Sequence, residues 1–133
     1  MNLLLDTHVW IWSQECPGEL GVLAREQLAN PANHLYLSTI STLEIARLIE
    51  GGGIELRGSL RSWIRRSTDV LRSRTVELSH DIAMAAYALP KDFHKDPADR
   101  ILAATAKHLN LTLITADERI LSLSCIHTFD ARK

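Results

Sequence analysis

The stretch LLLDTHVWIW, residues 3–12, places three leucines, one aspartate and a helical pattern in direct succession. The leucines form a short continuous apolar run, which is typical of a strand buried on both faces. A helix is predicted over residues 8–13, and Asp6 stands between the two elements. A buried strand that leads directly into a helix is typical of α/β proteins. We therefore expect this strand to lie inside a parallel sheet.

The same alternation of strand and helix continues along the whole chain. Further strands are predicted at residues 34–38, 74–78 and 111–115, with a last edge strand at 126–129. Further helices are predicted at residues 22–29, 40–50, 59–72, 81–89, 97–109 and 118–123. This order predicts a parallel sheet covered by helices on both faces. We interpret residues 1–133 as a single domain, because the chain has the length of one and contains no convincing linker.

The cysteine content argues against a disulfide-stabilised or zinc-binding protein, and the charge leaves nucleic-acid binding open. The 133 residues include 15 basic and 16 acidic side chains, so the net charge of −1 neither announces nor excludes a nucleic-acid partner. Two cysteines, Cys16 and Cys125, provide neither a disulfide framework nor a zinc ligand set, and a reducing cytosol fits them best. The first residues lack a basic signal-peptide region, and no apolar run approaches the ~18 residues of a membrane span. We expect a cytoplasmic protein with no membrane contact.

Acidic residues follow two of the predicted strands. Ligands of open parallel sheets bind beyond the carboxyl ends of the strands, and Asp6 and Asp117 stand at such ends. Each of these aspartates has an alternative explanation as the N-cap of the helix that follows it.

The glutamate of the sequence STLE, residues 41–44, also has two explanations. Glu44 completes a capping-box pattern with Ser41. Ser38 and Thr39 are equally good caps that lie earlier, and a helix that begins there leaves Glu44 without a capping role.

The sequence HKDPADR, residues 94–100, adds two more acids at a helix start. Asp96 is the natural N-cap, because Pro97 is favoured at the first helical position. Asp99 then gains only from the helix dipole, by about 0.3–1 kcal/mol. The structural explanation is therefore weaker for Asp99 than for Asp96.

Several carboxylates at one sheet edge would repel one another strongly. Two of them 4 Å apart repel by roughly 4 kcal/mol at an effective dielectric constant of 20. A divalent cation would offset this cost, and Mg²⁺ prefers an all-oxygen ligand set that includes one or two carboxylates. The acids therefore indicate a metal site.

Four motifs, LLLDTHVWIW, STISTLEIA, FHKDPADRILAATA and LITADERI, occur in this order along the chain. Their order and spacing resemble the four acidic motifs of PIN-domain ribonucleases, and specifically of VapC-type toxins from bacterial toxin–antitoxin pairs. The resemblance covers essentially the whole chain. It implies a three-layer α/β/α sandwich with a short parallel sheet, and RNA cleavage that depends on Mg²⁺ or Mn²⁺.

The resemblance also implies the roles of particular residues. By position, the catalytic and metal-binding acids are Asp6, Glu44, Asp99 and Asp117. Asp6 and Asp99 are then the principal ligands, and Asp117 holds a second metal or orients water. Supporting candidates around these acids are Asp96, Thr7 and Thr115. The implied partners are RNA, a small VapB-like antitoxin and a second copy of the chain.

A metal site of this kind can perform phosphodiester hydrolysis without other catalytic groups. The metal activates water, neutralises the phosphate and stabilises the leaving oxygen. We therefore interpret His8 and His94, which lie near the motifs, as structural. No GxSxG elbow occurs, and neither cysteine has a plausible catalytic partner.

Arginines on the predicted helix 59–72 are candidates for RNA contact. Arg61, Arg65 and Arg72 lie on the face opposite Trp63 and Ile64. Such a face is either a track for phosphates or an ordinary solvated surface.

An apolar segment of the first motif also leaves two possibilities open. Val9, Trp10, Ile11 and Trp12, together with the helix around Trp63, are either core or a surface for dimer and antitoxin contacts.

Three alternative functions fit part of the pattern. A PIN-like interaction module without activity would lack one of the acids, and none is missing. A haloacid-dehalogenase-like phosphatase needs a second aspartate two residues after Asp6, where His8 stands. A receiver domain needs an aspartate that closes the third strand, but Leu78 is followed there by Ser79.

Overall fold

A five-stranded parallel sheet forms the centre of the computed structural model, which describes residues 1–133. The strands are β1 Asn2–Leu5, β2 His34–Ser38, β3 Arg74–Val76, β4 Thr112–Thr115 and β5 His127–Asp130. They lie in the order β3-β2-β1-β4-β5, and all neighbours are parallel. The predicted parallel sheet is confirmed, including its edge strand. A receiver domain would have the order 2-1-3-4-5, so the strand order excludes that alternative.

Seven α-helices flank the sheet. They are α1 Thr7–Glu15, α2 Val22–Ala29, α3 Thr39–Glu50, α4 Leu60–Leu71, α5 His80–Ala86, α6 Pro97–Leu109 and α7 Glu118–Leu121, with a 3₁₀ turn at Pro17–Glu19. None of them has both the length and the apolar character needed to cross a bilayer.

The helix α5 ends three residues before the predicted end at residue 89. The Arg100 side chain explains this difference, because its guanidinium donates to the carbonyl oxygens of Ala86 and Phe93 at 3.0 and 2.8 Å. These bonds stabilise a loop over residues 87–95 in place of a further helical turn.

The two faces of the sheet have separate apolar cores, because successive strand residues point to opposite faces. Leu3 and Leu5 pack in one core with Trp10 and Trp63, whose rings lie 5.2 Å apart. Leu4 packs in the other core, with residues of α5 and α6. The structure therefore has the predicted three α/β/α layers.

The apolar segment of α1 belongs mainly to this core. Val9, Trp10 and Ile11 are buried, as is Trp63, and the Trp10 indole donates to Ser67 Oγ at 2.9 Å. These four residues therefore offer no surface to a partner. Trp12 is partly buried and is the member of the segment that borders the cavity described below.

Candidate functional site

A cavity of about 780 Å³ lies at the carboxyl ends of β1 and β4. Six acidic side chains line it: Asp6, Glu44, Asp96, Asp99, Asp117 and Glu118. The remaining lining residues are His8, Trp12, Arg47, Ala116, Arg119 and Arg132. The four acids singled out from the sequence thus share one cavity, because strands and helix starts meet at this edge of the sheet.

Asp6 is both a helix cap and a member of the acidic cavity. It follows β1 directly, and its Oδ1 accepts a hydrogen bond of 2.7 Å from the backbone N–H of Thr7. The Thr115 hydroxyl donates to Oδ2 at 2.6 Å. Burial raises the pKa of Asp6, and these two hydrogen bonds oppose part of that rise. Thr7 and Thr115 thereby hold the carboxylate in one orientation.

Glu44 has no capping role. The helix α3 begins at Thr39, and the Ser38 side chain caps it by accepting from the N–H of Ile40 at 3.1 Å. Glu44 therefore lies in the second turn, where its Oε1 accepts from the Thr7 hydroxyl at 2.5 Å. Burial raises the pKa of Glu44, and repulsion from Asp6 adds to the rise.

Asp99 is repelled by several neighbouring carboxylates of the cavity. Its side chain is 16% exposed and lies in the first turn of α6. Burial raises the pKa of this carboxyl to about 7, and repulsion from Asp6, Asp96 and Glu44 contributes. A bound cation would relieve this repulsion.

Asp96 caps α6, as the sequence predicts. Its Oδ1 accepts from the N–H groups of Ala98 and Asp99 at 2.9 and 3.2 Å. We expect Asp96→Ser to preserve the stability of the chain, because serine caps comparably, and Asp96→Ala to lower the free energy of unfolding by about 1 kcal/mol. Thermal denaturation of both variants measures this difference. Equal stability of the alanine and serine variants would contradict a capping role.

Asp117 differs from the other acids because an arginine accompanies it. Its Oδ1 caps α7 by accepting from the N–H of Arg119 at 2.8 Å, and the Arg119 guanidinium lies 3.3 Å from Oδ2. Burial alone would raise the pKa of Asp117, but the side-chain and backbone hydrogen bonds from Arg119 outweigh it and hold the pKa below its usual value.

The donor set fits a divalent metal ion. One ligand atom from each of His94, Asp99 and Asp117 can be chosen so that all three lie within 4.8 Å of one another. The carboxylates of Asp6 and Glu44 line the same cavity outside this close group. Oxygen-rich donors with excess negative charge suit Mg²⁺ or Mn²⁺.

His94 is the member of this group that the sequence interpretation left outside the site. We interpreted it as structural, and its Nε2 lies 3.2 Å from Asp99 Oδ2. Its position next to the motif of α6 was the available signal, but the loop conformation that turns it toward Asp99 has no local pattern.

The predicted RNA-binding arginines do not border this cavity. Arg61 and Arg65 are exposed on α4, and Arg72 lines a different cavity, which includes His34 at the amino end of β2. The basic residues at the acidic cavity come from three separate segments and are Arg47, Arg119 and Arg132. Composition along the chain could not find them, because they do not cluster in sequence.

Comparison with known protein families identifies the PIN domain. The sequence model of that family matches residues 3–124. Ribonuclease VapC22 of Mycobacterium tuberculosis is 36% identical over 121 residues, which are 91% of each chain.

Solved structures agree at the level of the fold. A chain of DNA-bound VapBC from Salmonella typhimurium superposes with a TM-score of 0.70 at 19% identity, covering 98% of both chains. A chain of VapBC2 from Rickettsia felis, bound to a DNA fragment of its promoter, superposes with a TM-score of 0.67 at 16% identity, covering 97% of this chain and 98% of that one. The match over residues 3–124, the 36% identical relative and the shared fold together place the chain in the PIN-domain family.

Proposed function

We propose that the chain is a divalent-metal-dependent endoribonuclease that acts as the toxin of a toxin–antitoxin pair. The observation that carries the proposal is the single cavity lined by Asp6, Glu44, Asp99 and Asp117 in a PIN-domain chain. A 36% identical relative that bears the name of a ribonuclease supports RNA as the substrate.

The carboxylates of this cavity would hold the metal. Asp99 and Asp117 belong to the close group of ligand atoms, and Asp6 and Glu44 provide further oxygens in the same cavity. When bound, a divalent ion supplies charge neutralisation at the scissile phosphate and lowers the pKa of water to generate a nucleophile at neutral pH.

The chain's own residues then orient the reacting groups. The Thr115 hydroxyl holds Asp6, and its oxygen also accepts from the N–H of Asp117 at 3.0 Å, so this threonine links two of the acids. Thr7 holds Glu44 in the same way. Arg47, Arg119 and Arg132 place positive charge beside the acids, where RNA phosphates can bind.

Removal of the metal tests this proposal. We expect the purified chain to cleave a mixed RNA substrate with Mg²⁺ or Mn²⁺, and EDTA to abolish cleavage until excess metal restores it. Gel analysis of 5′-labelled RNA measures both effects. Cleavage that continues in EDTA would contradict the dependence on metal. The absence of cleavage with both Mg²⁺ and Mn²⁺ would contradict ribonuclease activity.

An apolar groove beside the acidic cavity suits the proposed antitoxin. Its cavity of about 510 Å³ is lined by Ile40, Leu43, Ala46, Pro97 and Ala98, and it shares Glu44, Arg47 and Asp96 with the acidic cavity. A peptide in this groove could place an arginine among the acids, where it would neutralise them by charge-assisted hydrogen bonds. Solved complexes named VapBC have chains of this fold and support a partner of the VapB type.

A charge in the groove tests the partner. Leu43 is 64% exposed in the groove, and Val70 is 70% exposed near the opposite end of the sheet. We expect Leu43→Glu to weaken copurification of a VapB-like antitoxin roughly tenfold or more, because the loss of a hot-spot contact costs about 2 kcal/mol. The Val70→Glu variant should copurify with the antitoxin as efficiently as the unchanged chain does. Equal copurification of both variants argues against the groove as the antitoxin-binding site.

The homodimer and the cytoplasmic location that we expect from the sequence stay predictions.

A further inference from the structure

The His94 ring lies beside the acids that the proposed mechanism uses. Its side chain is 13% exposed, and its Nε2 is the one buried side-chain polar atom of the chain without a hydrogen-bond partner. Asp99 Oδ2 lies 3.2 Å away, but the geometry does not form a hydrogen bond. Buried polar atoms are almost always paired, so this nitrogen needs an explanation.

Hydrogen bonds from Arg100 and packing against Phe93 hold the His94 ring in place. Arg100 Nε donates to the His94 carbonyl oxygen at 3.1 Å, and an Arg100 Nη donates to the Phe93 carbonyl oxygen at 2.8 Å. The Phe93 ring packs edge-on against the imidazole, with centroids 4.5 Å apart. These contacts hold the loop from its backbone and leave Nε2 free to act as a ligand.

The neighbours of Nε2 make metal coordination the natural role. One ligand atom of His94, one of Asp99 and one of Asp117 lie within 4.8 Å of one another. The neutral imidazole nitrogen is a common metal ligand, and it would replace the missing hydrogen-bond partner.

We propose that His94 Nε2 supplies a nitrogen ligand to the divalent metal held by Asp99 and Asp117, and that it makes the site favour first-row transition-metal ions over Mg²⁺. This inference rests on the proposed metal-dependent function. Mg²⁺ prefers oxygen ligands, whereas imidazole suits transition metals, so a nitrogen donor raises the affinity for the second class selectively.

Pulsed electron paramagnetic resonance of the Mn²⁺-loaded chain tests the ligand directly. We expect a ¹⁴N modulation in the unchanged chain that becomes a ¹⁵N modulation when only its histidines are labelled with ¹⁵N. This labelled sample needs no substitution and so does not depend on the folding of a variant. His94→Gln should lose the modulation. His8→Gln, the same change at a histidine that lines the acidic cavity but lies outside the close group of ligand atoms, should keep it.

Metal selectivity provides a second measurement. We expect His94→Gln to lower the affinity for Ni²⁺, an ion that imidazole suits, roughly tenfold, while the Mg²⁺ affinity, measured by displacement of Ni²⁺, changes by less than about twofold. Mn²⁺ binding without nitrogen modulation, or a modulation that survives in His94→Gln, overturns this inference and leaves the proposed function intact. Failure of the unchanged chain to bind Mn²⁺ or Mg²⁺ overturns both.

Discussion

Asp99→Asn is expected to abolish RNA cleavage while it stabilises the metal-free protein. Under the proposed function, Asp99 belongs to the close group of metal ligands, and the asparagine amide lacks the negative charge that holds a cation. A metal contributes several kcal/mol to the transition state, so cleavage should fall roughly 100-fold or more. Initial rates on a labelled RNA in Mg²⁺ and in Mn²⁺ measure this loss.

The stabilising half of this prediction follows from the raised pKa of Asp99. The folded protein binds a proton on Asp99 up to about pH 7, whereas the unfolded chain releases it near 3.8. Stability therefore falls as the pH rises from about 4 to about 7, and the whole penalty is present above pH 7. The asparagine variant escapes it and should gain roughly 1–2 kcal/mol at pH 8, after discounting for partial exposure, or about 3–8 °C in melting temperature.

Melting curves in EDTA at pH 4.5 and pH 8 separate this effect from a general change in packing. The gain of Asp99→Asn should appear at pH 8 and shrink at pH 4.5. Asp69→Asn is the matched control, because Asp69 is exposed on α4 and does not line the cavity. It should retain both cleavage and melting temperature. Full cleavage by Asp99→Asn would remove Asp99 from the metal ligands.

Arg100→Ala is expected to cause the largest loss of stability of any arginine substitution. Arg100 is 6% exposed and donates to the carbonyl oxygens of Ala86, Phe93 and His94. Its guanidinium also lies 5.3 Å from the centre of the Tyr87 ring. Alanine leaves three carbonyls without these donors and opens a cavity, which together cost roughly 3–5 kcal/mol. The relief of a buried charge offsets only part of this cost, because the carbonyls already stabilise it.

Thermal denaturation and hydrogen exchange measure this prediction. The melting temperature should fall by roughly 10–20 °C, and the amides of residues 87–95 should lose protection first. Arg65→Ala, at an exposed position of α4, should change stability by less than about 0.5 kcal/mol. A loss below about 1 kcal/mol for Arg100→Ala would show that the loop folds without the guanidinium.

The sequence by itself determined the strands, the helix starts and the acids between them. Short apolar runs, prolines and capping residues act over a few neighbours, so Asp96 was predictable as the cap of α6. The alternation of strands and helices was enough to predict a parallel sheet with a layer of helices on each face. Asp6 and Asp117 had two competing explanations at that level, and the structure makes them compatible. Both cap helices that begin where a strand ends, and these ends meet at one edge of the sheet.

Only the tertiary structure decided which side chains share the acidic cavity. Arg47, Arg119 and Arg132 reach it from three distant segments, while the arginine-rich helix α4 packs its Trp63 face into the core elsewhere. His94 joins the acids because Arg100 shapes the loop that carries it. The physical reason is the range of the interactions. Caps and periodicity depend on residues a few positions apart, whereas burial, repulsion among carboxylates and hydrogen bonds to a loop depend on which segments the sheet brings together.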